Sequence, residues 1–208
     1  MRPDYEQDNI KLFNADCMKV MKQYPDSYFD LAVVDPPYGI GISSNPVRQQ
    51  HKKKKWDDSI PQGEYFSELI RVSKNQIIWG GNYFFNYLGN TQGFLIWDKK
   101  QPHDFSLAMC ELAWTSIQKP AKMFRESVLS EKGKIHPTQK PVKLYNWIYK
   151  NYAEEGQKIL DTHLGSGSNA ISAHYAKMGE FVGCELDEDY FKASTERIYK
   201  HTRQMELF

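Results

Sequence analysis

Four apolar stretches of this chain stop at a carboxylate. "IKLFNAD" ends at Asp16, "LAVVD" at Asp35, "KILD" at Asp161 and "FVGCE" at Glu185, and each is followed, directly or after a loop, by helical spacing. Strands alternating with helices argue for an α/β protein with a mostly parallel sheet. The unbroken apolar run Leu31 to Val34 suits a central strand covered on both faces, which puts Asp35 at that strand's carboxyl end.

The remaining pattern fills in the alternation. Helices are expected over 17–24 and over 63–73, and residues 135–153 open with prolines and continue as a helix, with Pro141 suited to its first turn because its missing N–H costs nothing there. Residues 76–85 read as strand, Gly-Gly turn and aromatic segment, and 93–99 with 109–118 as antiparallel strands. Trp79, Tyr83, Phe84, Phe85 and Trp97 are expected in the core or a pocket wall rather than as DNA-stacking groups. At 208 residues the chain reads as one domain over 1–208, able to bury roughly 70% of its unfolded surface. No apolar run approaches the roughly 18 residues of a membrane span and "MRPDYEQDN" lacks a signal pattern, so a cytoplasmic protein without membrane contact is expected. Cys17, Cys110 and Cys184 are odd in number and without a C-x-x-C pair, which speaks against a disulfide framework or a metal site.

"DTHLGSGSNA" joins a strand to a helix, and Glu185 follows 20 residues after Gly165. Such a glycine turn admits a ligand close to the backbone, and an acid ending the next strand can take both hydroxyls of a ribose. A nucleoside-containing cofactor should therefore lie near Asp161, Gly165, Gly167 and Glu185. The acidic surroundings suit a cationic sulfonium better than a pyrophosphate, although the glycines alone also fit a dinucleotide-dependent oxidoreductase.

In "DPPY", Asp35, Pro36, Pro37 and Tyr38 form a stiff turn that presents acceptors without competing donors. A carboxylate and a proline carbonyl can take both hydrogens of an exocyclic amino group while Tyr38 stacks on its ring. The amino nitrogen of adenine or cytosine is a poor nucleophile, and acceptors placed off the ring plane would carry away positive charge as it attacks a methyl group. The base must be flipped out of the duplex, at a few kcal/mol, largely offset by stacking worth about 1–3 kcal/mol.

With both turns present, the chain resembles the amino-methylating (N6-adenine or N4-cytosine) DNA methyltransferases. The order, "DPPY" first and "DTHLGSGS" last with "IHPTQKP" just before the latter, resembles their permuted beta class, and "WGGNYF" and "ELAWTS" extend the likeness to small prophage-type members. The resemblance implies a Rossmann-like methyltransferase fold with a seven-stranded sheet, one strand antiparallel, and a first strand that pairs with the last-built end of the sheet. It implies S-adenosyl-L-methionine as cofactor, held by Asp16, Asp35, His136, Thr138, Gln139, Lys140, Asp161, Leu164, Gly165, Ser166, Gly167, Ser168, Asn169 and Glu185. Asp35, Pro36, Pro37 and Tyr38 would be catalytic, and double-stranded DNA the partner. Asp at the head of the motif points to adenine N6 more often than to cytosine N4. The family's usual aromatic before the glycines is replaced by His163, read as a turn residue ahead of a substitute ligand.

Residues 42–62 are expected to form an active-site and DNA-recognition loop, with Arg48, Lys52, Lys53, Lys54 and Lys55 neutralising phosphates. The short recognition region suggests a homodimer, and a cognate restriction endonuclease is left open. A catalytically silent nucleic-acid-binding relative is the remaining rival, opposed by the intact Asp35 and Tyr38.

Overall fold

The computed structural model describes residues 1–41, 57–102, 108–128, 130 and 133–203. In chain order the elements are β1 (Tyr5–Gln7), β2 (Ile10–Phe13), α1 (Cys17–Met21), β3 (Phe29–Val34), α2 (Gly63–Val72), β4 (Ser73–Trp79), β5 (Phe94–Asp98), β6 (Cys110–Thr115) and β7 (Lys122–Arg125). They continue as α3 (Val142–Tyr152), β8 (Lys158–Asp161), α4 (Ser168–Tyr175), β9 (Glu180–Cys184) and α5 (Glu188–Arg203). Among the described residues, nine strands join one sheet in the order β1-β2-β9-β8-β3-β4-β6-β5-β7.

The seven inner strands, β2 to β5 in that order, have β6 alone running against the rest. Two short edge strands widen the expected seven to nine: β1 lies antiparallel to β2, and β7 parallel to β5. The first inner strand pairs with β9, the last formed, as the permuted order implies.

Alternation along the strands feeds two cores. Leu31, Val33, Ile77, Trp79, Ile159 and Phe181 face Leu144, Ile148, Ile171 and Ile198 of α3, α4 and α5. Ala32, Val34, Ile78, Leu160 and Val182 face Val20, Met21, Phe66 and Leu69 of α1 and α2. Each fully buried aliphatic or aromatic side chain contributes about 1.5–3 kcal/mol. The chain leaves β3 toward β4 on one side and β8 toward β9 on the other, so a crevice opens at the carboxyl ends of β3 and β8, where ligands of such sheets bind.

Several sequence expectations shift. Pro141, expected in the first turn of α3, is its N-cap with ψ 143°; a proline fits there because the helix's first hydrogen-bonded turn begins beyond it. The strand expected to reach Asp16 ends at Phe13, and Asp16 instead caps α1 by accepting from the Met18 N–H at 2.9 Å. Trp79, Phe84 and Trp97 are core, but Tyr83 and Phe85 are exposed at 42% and 60%, because the short 3-10 turn Gly81–Tyr83 carries them outward. Arg48 and Lys52 to Lys55 lie outside the described residues.

Candidate active site

Asp35 leaves the end of β3 with both oxygens engaged. Oδ1 accepts from the Tyr38 hydroxyl at 2.5 Å and Oδ2 from the Lys140 ammonium at 2.5 Å. The turn is held by Asp57, whose Oδ1 accepts from the N–H groups of Tyr38 (2.8 Å) and Gly39 (2.9 Å). Asp57, read from sequence only as charge balance for the lysine run, is thus a buried anchor of the "DPPY" turn. The Tyr38 ring stacks on Tyr83, centroids 5.0 Å apart and planes at 14°.

Lys140 belongs to the extended segment before α3, and its ammonium is shared. Nζ also lies 3.0 Å from Glu111 Oε2 of β6, an ion pair off the hydrogen-bonding direction, and Glu111 Oε1 is met by Lys99 Nζ at 2.5 Å. Burial pushes the Asp35 carboxyl up, and Lys140 offsets this only in part. Glu111 suffers burial too, yet Lys140 and Lys99 together bring it down to about 2. Burial works against the charge on Lys140, but Asp35 and Glu111 outweigh it and hold its proton more tightly than usual.

A cavity of about 260 Å³ opens beside Asp35. From the first half of the chain it is lined by Asp16, Cys17, Asp35 and Pro37, and from the segment before α3 by His136, Thr138, Gln139 and Lys140. Leu164, Gly165, Ser166 and Glu185 close its other side. Glu185 is fixed by two backbone donors, Gly165 N–H on Oε2 and Asp187 N–H on Oε1, both at 2.9 Å. Tyr145, Leu186 and Tyr190 also line it and were missed from sequence, where Tyr145 counted as helix core. Leu186 is 74% exposed, and a lone large apolar residue directly after the acid in the run "ELDED" is the sequence signal that would have found it. Burial raises the Cys17 thiol to about 12, so it offers no nucleophile at neutral pH.

Other expected residues stand behind this wall. Asn169 donates to Val33 O (3.0 Å) and Asp161 Oδ2 (2.9 Å) and accepts from Tyr149 at 2.5 Å, tying α3, β3 and β8 together. Gly167 has φ +74°, and a Cβ there would meet Ile198 at 2.8 Å, so this glycine permits α5 to pack. Ser168 accepts from Arg197 at 2.9 Å. Pro36 and Tyr38 flank the cavity without lining it.

His163 lines the cavity at the end of a buried relay. Tyr65 OH lies 2.6 Å from Thr162 Oγ1, which lies 2.9 Å from His163 Nδ1. Every proton in this relay finds an acceptor only if Tyr65 donates to Thr162 and Thr162 to Nδ1, which leaves the ring proton on Nε2. Burial lowers the imidazole to about 4, so it is neutral at pH 7.

Its neighbour Asp161 is buried and pushed up to about 7, Asn169 and the His163 N–H only partly compensating. The folded state thus holds the Asp161 proton where the unfolded chain has lost it, and stability from this group falls as pH rises from about 4 to 7. His163 acts oppositely between about 4 and 6.5, since the unfolded chain binds its proton first. Comparing wild type with Asp161→Asn isolates the acid: the stability difference should drift against the wild type by as much as about 4 kcal/mol between pH 4 and 7. Urea melts at four pH values check this, and parallel pH profiles would contradict it.

The sheet order and the crevice cavity define a Rossmann-like α/β protein. The model of the N6/N4 DNA methylase family matches residues 76–196, and the chain belongs to that family. It is similar to the type II methyltransferase M.HpaI of Haemophilus parainfluenzae, 23% identical over 90% of this chain and 74% of that protein. The putative methylase YubD of Escherichia coli K12 is 24% identical over 94% and 93%. Among solved structures, the M1.HpyAVI–SAM complex superposes with a TM-score of 0.65 at 17% identity, covering 91% of this chain and 98% of that one. The cytosine-N4-specific PvuII DNA methyltransferase gives 0.69 at 13% identity, over 98% and 94%.

Proposed function

We propose that the protein transfers a methyl group from S-adenosylmethionine to the exocyclic N6 of an adenine flipped out of double-stranded DNA. The observation that carries this reading is that Asp35, at the head of a turn whose two prolines carry no N–H, and the Gly165–Glu185 pair line one cavity. The residues fit the cofactor: Glu185 is oriented for ribose hydroxyls by two backbone N–H groups, and exposed Leu186 beside it offers an apolar surface to a flat ring. Lys140, the lysine of the described lining, is already claimed by two carboxylates, which disfavours a pyrophosphate ligand. Asp16, Thr138, Gln139, Gly165, Ser166 and Glu185 would hold the cofactor, which supplies an electrophilic methyl on a sulfonium.

Asp35 and the Pro36 carbonyl would take the amino hydrogens, replacing the Tyr38 hydroxyl on Oδ1. Tyr38 would hold the base by its ring. Cytosine N4 is the second reading, since the amino group poses the same problem, and the similarity to the cytosine-specific PvuII enzyme supports it at the level of fold. Modification-sensitive sequencing of DNA from cells expressing the protein should show N6-methyladenine in one fixed context. N4-methylcytosine would move the assignment to the second reading. A thermal shift with NAD but none with S-adenosylhomocysteine would remove both.

A further inference from the structure

Two carboxylates share the Lys140 ammonium, and only one of them belongs to the "DPPY" turn. Glu111 sits on β6, paired opposite Trp97, and reaches Lys140 from the far side of the site while Lys99, just past β5, grips its other oxygen. The side chains of Lys99 and Lys140 are 9% and 3% exposed, so neither cation draws on bulk water for its charge. The series Lys99, Glu111, Lys140, Asp35 alternates in sign and is neutral as a whole.

Resting on the methyl-transfer reading above, we propose that Glu111 is a positioning residue acting through Lys140: it is that ammonium's standing counter-ion and so leaves Asp35 available to the substrate amino group. During transfer the amino nitrogen forms a bond to the methyl carbon, the carbon–sulfur bond breaks with its electron pair going to sulfur, and one N–H proton must leave. Asp35 is the acceptor in reach. If Lys140 had Asp35 as its sole partner, protonating Asp35 would strand a buried cation, and the ion pair would resist that step. With Glu111 in place, Lys140 stays neutralised whether Asp35 is anion or acid. Two acids in one site pushed apart in acidity is the pattern by which a permanent anion and a working base are told apart.

Among the described residues, the groups facing Asp35 are Lys140 before α3, Glu111 on β6, Tyr38 on its own turn, Tyr145 on α3 and, more remotely, Asp161 at the end of β8. Glu111 is the negative charge that lifts Asp35, so its removal gives a distinctive sign: Asp35 becomes a weaker base, not a stronger one. In Glu111→Gln, the carboxyl carbon signal of Asp35, followed by ¹³C NMR in the ligand-free protein, should titrate at lower pH than in wild type by at least about half a unit. The maximal transfer rate should fall roughly ten- to a hundredfold, with the acid limb of its pH profile moved down and S-adenosylhomocysteine affinity kept. Lys99→Met/Glu111→Gln removes the lysine that the single change strands; it should regain wild-type melting and keep both shifts. An Asp35 titration that stays put or moves up in a folded variant overturns the inference. Absence of transfer by the wild type overturns the methyl-transfer reading instead, and the ligand-free titration still judges Glu111 by itself.

Discussion

Asp35→Asn should cut methyl transfer by about a thousandfold and leave binding of S-adenosylhomocysteine close to wild type. The asparagine keeps the shape of the side chain but turns one acceptor into a donor. Both positions it occupies already face donors, the Tyr38 hydroxyl and the Lys140 ammonium, each at 2.5 Å. The amide group therefore opposes one of them and can neither draw both amino hydrogens nor receive the departing proton. The variant should nevertheless fold, at a cost of about 1–3 kcal/mol, because Lys140 keeps Glu111 at 3.0 Å as a counter-ion. Radiolabel transfer, calorimetric binding and thermal melting on one preparation separate these terms. A variant that keeps a tenth of the wild-type rate would show that Asp35 is not the group the amino nitrogen depends on.

The sequence made the sheet centre legible because burial on two faces leaves a local mark. Leu31 to Val34 have no polar member, and the structure divides that run between two cores. The edge strands left no such mark. Lys122 to Arg125 are largely exposed and Tyr5 to Gln7 half-exposed, so their place in the sheet is set by backbone pairing with β5 and β2, which composition does not record. In the site, "DPPY" and "LGSGS" could be read because their chemistry is contiguous. Glu111, Asp57 and Tyr145 act on Asp35 and its turn across long stretches of chain, and an isolated acid or tyrosine does not announce its distant partner. A carboxylate opening the otherwise apolar segment "ELAW" was the available signal, since an ionisable group entering a core must be matched there. Lys140 was legible as a site residue, but its placement on Asp35 depends on an extended approach to α3 that the prolines of "HPTQKP" favour without specifying.

Gly80→Ala should damage both stability and transfer, for a purely steric reason. Gly80 has φ +70°, where an alanine costs about 1–2 kcal/mol. Its added Cβ would lie 2.1 Å from Cε1, 2.5 Å from Cδ1 and 2.7 Å from Cζ of Tyr38. The ring cannot step aside freely, being held by its hydroxyl on Asp35 and stacked on Tyr83. Either Tyr38 leaves its place or the end of β4 shifts, an overpacking cost of about 1–3 kcal/mol. The total should appear as about 2–5 kcal/mol lost in urea unfolding, with transfer down roughly a hundredfold because the base loses its platform. Adding Tyr38→Ala removes the colliding ring. The double variant should then recover the overpacking part of the stability, a coupling of about 1–3 kcal/mol, while transfer stays low. That split assigns the stability loss to the collision and the activity loss to the missing ring. Strictly additive stabilities would mean that the chain relaxes around the alanine without moving Tyr38, and a Gly80→Ala protein with wild-type transfer would mean that the base does not need the ring where the structure holds it.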